Sequence, residues 1–335
     1  MNLFEKSKTV IKRKVESILG KRGYLILKHN RSDLPYRQIG RIYDLIVKTN
    51  CFDKMVGACQ DSDMNGVEGI IFSKDRPMQL DALLNSYFDL VRNCSPLHIL
   101  YKCSTEGFSR AYDSLKVKYK SHQVKFHQEN RFREDLLSLL NQINTKKVFF
   151  LVDDILFINE FDMSFVNDFD PEKYVFSLRM GKNITYSFML NRKIKAPSLT
   201  EALQSEPHIY WEWNEGMSYW GYPLSVDGHV FSRKEVVFMI SVSDFNAPNS
   251  LEIALQSFKY AFASRYGVSF PVSKIVNIPL NRVQQEYQNK ATGYSEIELL
   301  KLWEKGYRFD YKKLYNTISH SPHESLPIGF INISK

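Results

Sequence analysis

The sequence predicts an α/β fold, in which a parallel β-sheet is flanked by helices and preceded by a basic helical N-terminal extension. Apolar strand-like runs alternate with amphipathic helical segments between residues 67 and 152. The excess of basic residues is confined to the first 48 positions. The alternation ends at two adjacent carboxylates, Asp153 and Asp154. A βαβαβαβ order of this kind implies a parallel sheet with right-handed crossovers.

The N-terminal extension, residues 1–65, is predicted to be helical and to end in a polar linker at 60–66. Residues 1–48 contain 12 of the 45 Lys and Arg but four of the 37 Asp and Glu, so the rest of the chain is neutral. Apolar residues near the N-terminus have the spacing of an amphipathic helix, with lysines between them. This pattern favours an anionic membrane surface as partner. A nucleic-acid arm and a solvated helix packed on the main body are the alternatives, and the neutral body argues against nucleic acid.

The elements of the predicted sheet follow one another closely. The strands are expected at 67–72, 97–103, 124–127 and 147–152, and the helices between them at 78–91, 110–119 and 133–143. Beyond residue 154 the pattern predicts a strand at 174–179, loops over 180–231, and helices at 250–263 and 295–305. Asn249 or Ser250 is the expected N-cap of the first of these helices.

The composition is typical of a soluble globular protein. Apolar residues make up 44% of the chain, the mean hydropathy is −0.33, and no apolar run reaches the roughly 20 residues that span a bilayer. The N-terminus shows no secretory signal pattern. The four cysteines have no CxxC spacing, which predicts reduced thiols. We therefore expect a cytoplasmic protein, peripheral at the inner face of the cell membrane.

The acidic pair is the first candidate for a functional site. Asp153 and Asp154 directly follow a buried strand, and two adjacent anions repel each other unless a cation lies between them. The carboxyl end of an open α/β sheet is also where ligands bind. The pair therefore predicts a Mn²⁺ or Mg²⁺ site for a phosphorylated ligand. Asp154 is expected to reach the metal, with Asp153 beside it or on a ribose. Two exposed acids that cap the next turn are the alternative.

Several segments resemble GT-A-fold glycosyltransferases of the bacterial family-2-like kind. Residues 69–77, with the sequence GIIFSKDRP, look like the first strand and loop of that family, and 152–154 occupies the place of its DxD motif. Residues 220–229 and 248–252 look like its acceptor-side segments. The resemblance covers about residues 67–290. The chain departs from the family in having Asp-Asp-Ile instead of Asp-x-Asp.

This resemblance implies a GT-A-type Rossmann-like sheet and a hexosyl- or N-acetylhexosaminyltransferase. The donor would be a nucleoside-diphosphate sugar, with a UDP-sugar favoured. The acceptor would be a glycan or a lipid-linked glycan in surface polysaccharide or lipopolysaccharide synthesis. Residues 66–180 would then bind the nucleotide sugar, and residues 181–335 would bind the acceptor and supply the C-terminal helices.

The expected donor site lies in the loops that follow the strands. The acid and the planar guanidinium of the 73–76 loop suit a ribose or base and a diphosphate, whereas a plain strand–helix turn with Pro77 at N1 is the alternative. Residues after the third strand share the same crevice, although Asn130 equally suits a helix cap. The donor-site candidates are Ser73, Asp75, Arg76, Glu129, Arg131, Asp153 and, from the C-terminal side, Arg282.

Two acids are candidates for the general base of an inverting transfer. Glu252 is favoured because it lies near a predicted helix start, and Asp227 is the second candidate or a ligand of sugar hydroxyls. His229 is a further candidate metal ligand, although a lone histidine is more often a packed structural residue. Acceptor sugars are expected to stack on some of the clustered aromatic residues, the rest being core. The acceptor candidates are Trp213, Trp220 and Tyr222.

Two other function classes compete with the transferase. A nucleotidyltransferase also combines a Rossmann-like sheet with acidic metal ligands, but it would more typically have a glycine-rich phosphate loop where this chain has Ser-Lys-Asp-Arg-Pro. A non-catalytic glycan-binding module with a decayed site is kept open by the displaced carboxylate. Such a module would bind sugars through its aromatic residues without metal or nucleotide.

Overall fold

The computed structural model describes residues 52, 54–57, 64–203, 206–280, 293–327 and 329–333. The helices, in chain order, are α1 (Pro77–Leu90), α2 (Glu106–Lys118), α3 (Phe132–Gln142), α4 (Met163–Val166), α5 (Arg233–Ser241), α6 (Pro248–Gln256) and α7 (Glu296–Glu304). The strands are β1 (Met64–Lys74), β2 (Val91–Arg92), β3 (Leu97–Lys102), β4 (Val124–Gln128), β5 (Thr145–Val152), β6 (Ile155–Phe157), β7 (Phe161–Asp162), β8 (Tyr174–Ser177), β9 (Tyr186–Ser187), β10 (Arg192–Lys193), β11 (Thr200–Ala202), β12 (His208–Glu212), β13 (His229–Ser232), β14 (Tyr266–Ser269), β15 (Ile275–Asn277), β16 (Tyr307–Phe309) and β17 (Phe330–Asn332).

A nine-stranded sheet with the order β11-β12-β14-β8-β13-β5-β1-β3-β4 organises the fold. The predicted parallel unit is confirmed, since β1 pairs in parallel with β3 and β5, and β3 with β4. The sheet as a whole is mixed, because β13 runs antiparallel to both β5 and β8. Strands from 66–180 and from 181–335 therefore belong to one sheet, so a division at residue 180 does not separate two sheets.

The antiparallel strand β13 explains how distant parts of the sequence meet. Val230 is opposite Phe149, and the backbone N–H of Gly228 donates to the carbonyl of Phe150 at 2.7 Å. The residues just before β13 therefore lie where β5 ends. On the other side, the N–H of Asp153 donates to the carbonyl of Phe72 at 3.1 Å. The carboxyl ends of β1 and β5 and the start of β13 consequently share one edge of the sheet.

Both faces of the central strands are buried, which matches their nearly continuous apolar runs. Alternate residues of β1 point to opposite sides. Ile71 packs in the core beneath α1 and α2, whereas Ile70 and Phe72 pack in the core formed with α3 and α5. The strand is thus held from both sides, which fixes the position of the loop that follows it.

The second half of the chain contains more regular structure than its sequence suggested. The segment 180–231, predicted as loops, includes β11, which is the edge strand of the sheet, and β12, which carries Tyr210 and Trp211. The predicted helix 250–263 is instead α6 at Pro248–Gln256, followed by a separate 3₁₀ turn at Lys259–Phe262. Ala247 is the N-cap residue, and Ser250 accepts its N–H at 3.1 Å from inside the first turn.

Most of the predicted N-terminal extension lies outside the described residues, and so does its amphipathic, membrane-binding segment. Strand β1 begins at Met64, so the last residues of the predicted linker belong to the strand. Within the described ranges, no helix combines the length and the apolar character needed to cross a membrane.

Candidate active site

A cavity of about 920 Å³ lies at the shared edge formed by β1, β5 and β13. Two groups of ionisable side chains line it. The first group contains Arg76 and the two acids Asp153 and Asp154, which we call the carboxylate pair. The second, which we call the Asp227 cluster, consists of Arg179, Asp227, Glu252 and His323.

Arg76 is the cation between the two carboxylates. Its Nη1 donates to Oδ1 of Asp153 at 2.9 Å and to Oδ2 of Asp154 at 3.1 Å. The three side chains are only 10%, 4% and 12% exposed, respectively. Further donors hold the acids in place, since the N–H of Lys74 lies 3.2 Å from Asp153 Oδ2 and Asn277 Nδ2 lies 2.9 Å from Asp154 Oδ1.

The protonation of the carboxylate pair reflects this burial. Burial raises the pKa of Asp153, against the opposing effect of Arg76. Burial also raises the pKa of Asp154 to about 7, because the charges of Asp153 and Asp227 add to it and Arg76 only partly offsets them. Burial disfavours the charge of Arg76, but the two carboxylates raise its pKa, so it stays a cation. Near neutral pH the pair therefore takes up a proton readily.

A divalent metal does not fit the carboxylate pair as it is arranged. The two acids have the oxygen ligands that Mn²⁺ or Mg²⁺ prefers. However, one nitrogen of Arg76 bonds an oxygen of each, which occupies the position of a bridging ion. Across the part of the chain that the structure describes, no three His, Cys, Asp or Glu side chains are grouped so as to hold a metal ion.

His229 is a packed residue in this arrangement. Its Nδ1 lies 2.9 Å from the carbonyl of Pro223, to which it donates, and its ring packs near Trp213. Burial lowers the pKa of His229 to about 3, with the charge of Arg179 acting in the same direction, so the ring is neutral. These contacts are those of a packed structural histidine and not those of a metal ligand.

Asp227 is the ionised acid of its cluster. Its Oδ2 accepts from Arg179 Nη1 at 3.0 Å and lies 3.3 Å from His323 Nε2. Burial works to raise the pKa of Asp227, but the hydrogen bond from His323 and the charge of Arg179 outweigh it and lower that pKa. Asp227 therefore keeps its negative charge at neutral pH.

Glu252 lies next to this charge on α6 and is half-buried. Burial raises the pKa of Glu252 to about 7, and the negative charge of Asp227 adds to the rise. Hydrogen bonds from Ser225 and from the backbone of Val226 act against it. Of the two predicted bases, Glu252 thus has the pKa that suits proton exchange at neutral pH.

The structure divides the predicted donor residues. Ser73 and Glu129 line the cavity; the Ser73 hydroxyl is 2.5 Å from that of Tyr112, and Glu129 pairs with Lys102 at 2.9 Å. Asp75 does not line it, and its donor role stays a prediction. Its carboxylate turns away and accepts the N–H of Ser104 at 2.7 Å.

Two other donor candidates also lie away from the cavity or outside the described residues. Arg131 is exposed and does not line the cavity. It precedes α3, and its backbone N–H donates to Oδ2 of Asp135 at 2.7 Å. Its donor role stays a prediction. Arg282 lies outside the described residues, so its role stays a prediction.

Among the aromatic candidates, Tyr222 alone lines the cavity. Trp213 and Trp220 are 3% and 0% exposed, and Trp220 donates from Nε1 to the carbonyl of Ile184 at 3.3 Å. Both tryptophans belong to the core, which corrects their assignment to the acceptor site. Their burial follows from their size, because ring–ring packing with Trp211 removes a large apolar area from water.

Among the residues that line the cavity, sequence reasoning missed the polar side chains of Lys102, Arg179, Asn277 and His323. Arg179 comes at the end of the predicted strand 174–179, so the reasoning applied to the other strand ends would have found it. Lys102 likewise ends β3. Asn277 and His323 could not be found from the ends of predicted strands. They are far apart in the sequence, and a parallel bridge between their backbones brings them together.

The fold and site together define an α/β protein whose mixed sheet carries a cavity with clustered carboxylates and guanidinium groups at the carboxyl edge. No family model matches the chain. It is 26% identical over 261 residues to the bifunctional glycosyltransferase pgtA of Dictyostelium discoideum, which covers 67% of this chain and 33% of pgtA. The chain therefore spans about a third of this relative's length. The expected resemblance to glycosyltransferases is confirmed, while the family-2 detail stays a prediction.

Solved structures match the chain at low similarity. Residues 1–349 of Staphylococcus aureus TarS, solved in complex with UDP, match with a TM-score of 0.41 and 12% identity, covering 61% of this chain and 57% of that one. GalNAc-T7, solved with UDP, GalNAc and Mn²⁺, matches with a TM-score of 0.41 and 10% identity, covering 75% and 50%. These TM-scores are too low to support an inference about function.

Proposed function

We propose that this chain is a glycosyltransferase with a GT-A-type sheet that moves a hexosyl or N-acetylhexosaminyl group from a UDP-sugar to a hydroxyl of a glycan or lipid-linked acceptor. The observation that carries the proposal is one cavity at the carboxyl edge of the sheet that contains both Arg76, suited to a diphosphate, and Glu252, suited to an acceptor proton. The 26% identity to a glycosyltransferase supports it.

The donor is proposed to bind along the ends of β1, β3 and β5. Arg76 and Lys74 supply positive charge for the diphosphate, and a guanidinium matches phosphate oxygens with parallel N–H groups. Asp153 is then available to a ribose hydroxyl, and the Lys102–Glu129 pair lies farther along the same wall. The nucleoside end of the donor is thus assigned to the β3 and β4 side of the cavity.

The transfer is proposed to be a single displacement that inverts the anomeric carbon. The acceptor oxygen bonds to the anomeric carbon while the bond to the phosphate oxygen breaks, and the electron pair leaves with UDP. Glu252, in its ionised form, takes the proton of the acceptor hydroxyl, a role worth on the order of 10²–10⁴-fold in rate. Asp227 keeps the pKa of Glu252 raised, and it binds sugar hydroxyls together with Arg179.

The Mn²⁺ or Mg²⁺ predicted from the acidic pair would need the position that Arg76 now takes between Asp153 and Asp154. No step above is assigned to a metal. A cytoplasmic site at the inner membrane face, suggested by the basic N-terminal segment, is part of the same proposal. So is a role in surface polysaccharide or lipopolysaccharide synthesis, which the family resemblance implies.

Nucleotide binding and turnover of the full chain test the function. Thermal unfolding is compared with UDP, GDP, CDP and dTDP; a ligand at about 100-fold its Kd stabilises by roughly 2.7 kcal/mol. We expect UDP to stabilise most and a UDP-sugar to release UDP slowly in water. We also expect Glu252→Gln to abolish that release while UDP still binds. Stabilisation by no nucleotide would refute the transferase and favour a glycan-binding module.

A further inference from the structure

The carboxylate pair already has its counter-cation within the chain. A single guanidinium nitrogen of Arg76 lies within 3.1 Å of an oxygen of each acid, and all three side chains are almost fully buried. Hydrogen bonds between ionised groups are roughly twice as strong as neutral ones. The contact of Arg76 with the two acids is therefore a buried ion pair and not a chance approach of surface side chains.

The backbone around Arg76 is fixed in a way that points the guanidinium at the pair. Asp75 has a φ of 56°, a left-handed conformation that turns the chain sharply between β1 and α1. The hydrogen bond from the N–H of Ser104 to Asp75 holds that turn. The N–H of Arg76 donates to the hydroxyl of Tyr112 at 3.3 Å, and Pro77 begins α1 directly afterwards. The loop thus presents Arg76 from a rigid frame.

The position of Arg76 between the two acids opposes an added bridging metal ion. A divalent ion that bridged Asp153 and Asp154 would have to displace a buried guanidinium from two charge-assisted hydrogen bonds, which would bring two cations together. Lys74 lines the cavity with Arg76, so a diphosphate placed there meets the positive charge of Lys74 beside the guanidinium that the two acids share. Asn277 supplies the remaining bond to Asp154.

We propose that Arg76 takes the place of the divalent ion, so that this chain binds its nucleoside diphosphate through Arg76 and without Mn²⁺ or Mg²⁺. The inference rests on the proposed function, and it names the group that contacts the diphosphate. It also accounts for the displaced carboxylate of the Asp-Asp-Ile sequence, because the pair holds an arginine rather than completing a metal shell.

Calorimetric titration of the full chain with UDP tests the proposal, once in EDTA and once with Mn²⁺. We expect the same Kd within about twofold in both buffers, and we expect Arg76→Gln to raise the Kd at least about tenfold in both. Arg110→Gln is the matched control, since Arg110 is 64% exposed on α2 and outside the cavity. It should bind UDP as the wild type does.

Loss of Arg76 could unfold the chain by leaving two acids unpaired. The double variant Arg76→Gln with Asp154→Asn removes both charges of one contact and keeps the test decisive; we expect it to fold and to bind UDP as weakly as the single variant. UDP binding that appears only with Mn²⁺, or survives in the folded double variant, would overturn the proposal. Failure of UDP to bind wild type in either buffer would count against the transferase function itself.

Discussion

Replacing Glu252 by glutamine should remove activity and at the same time stabilise the fold. The pKa of Glu252 is raised from 4.5 to about 7, first by burial and then by the charge of Asp227. The folded chain therefore binds the proton of Glu252 more tightly than the unfolded chain does. Above pH 7 the folded state pays for holding this group ionised, whereas below pH 4.5 the group is protonated in both states and the penalty vanishes.

The size of this penalty follows from the shift in pKa. A rise of roughly 2.5 units at 1.36 kcal/mol each sets an upper limit of about 3.4 kcal/mol above pH 7. At about pH 5.5 the penalty is near 1.4 kcal/mol, so the stability gained by Glu252→Gln should grow by roughly 2 kcal/mol between about pH 5.5 and about pH 8. A glutamine oxygen can still accept the hydrogen bonds from Ser225 and Val226.

Urea denaturation at several pH values, together with UDP-sugar turnover, measures both effects. Glu106→Gln is the control, because Glu106 is 87% exposed at the start of α2 and should change neither quantity. If Glu252→Gln is less stable than the wild type at about pH 8, or if the difference does not widen with pH, the folded state does not raise the pKa of Glu252. Retained turnover in the variant would refute its catalytic role.

Three further predictions concern residues whose roles the structure changed or left open. Trp220→Ala should lower the free energy of unfolding by about 3–5 kcal/mol while the folded fraction keeps its UDP affinity, measured by urea titration and calorimetry; a large loss of affinity would return Trp220 to the ligand site. Asp75→Val should cost about 1–3 kcal/mol because a β-branched residue resists the positive φ, and Asp75→Asn should cost much less; equal costs would contradict the strained turn. Replacing the four lysines of the first 14 residues by glutamine should weaken cosedimentation with anionic vesicles by about 1 kcal/mol per charge, and unchanged binding would exclude the membrane role.

The parallel half of the sheet could be predicted because its signals are local. Apolar runs, leucines at helical spacing and the turn at Asp75-Arg76-Pro77 each report on neighbours in the sequence, and β1, β3, β4 and β5 formed where expected. The acidic pair was recognised because nothing apolar explains two anions at a strand end. The sequence assigns Arg76 to a diphosphate and the acids to a metal ion. Only the structure shows that Arg76 lies between the two acids.

The second half resisted prediction for the opposite reason. The start of β13 lies at the end of β5 through antiparallel pairing, which leaves no periodic trace in the sequence. His323 reaches Asp227 from the C-terminal segment through a contact across almost a hundred residues. The sequence also did not separate buried aromatic residues from those that line the cavity. A tryptophan in a polar stretch gives the same sequence pattern whether it faces a sugar or the core.

The pairing of β13 with both β5 and β8 has a consequence for how such a chain can change its specificity. The backbone ladder joins Asp153 and Asp154, after β5, to Asp227, just before β13, so the spacing between these acids is set by hydrogen bonds of the main chain. Exchanging 66–180 for the corresponding part of another protein would cut through this ladder. New acceptors are more accessible through the segment between β8 and β12, which borders the cavity at Met189 and Leu190 without carrying either set of acids.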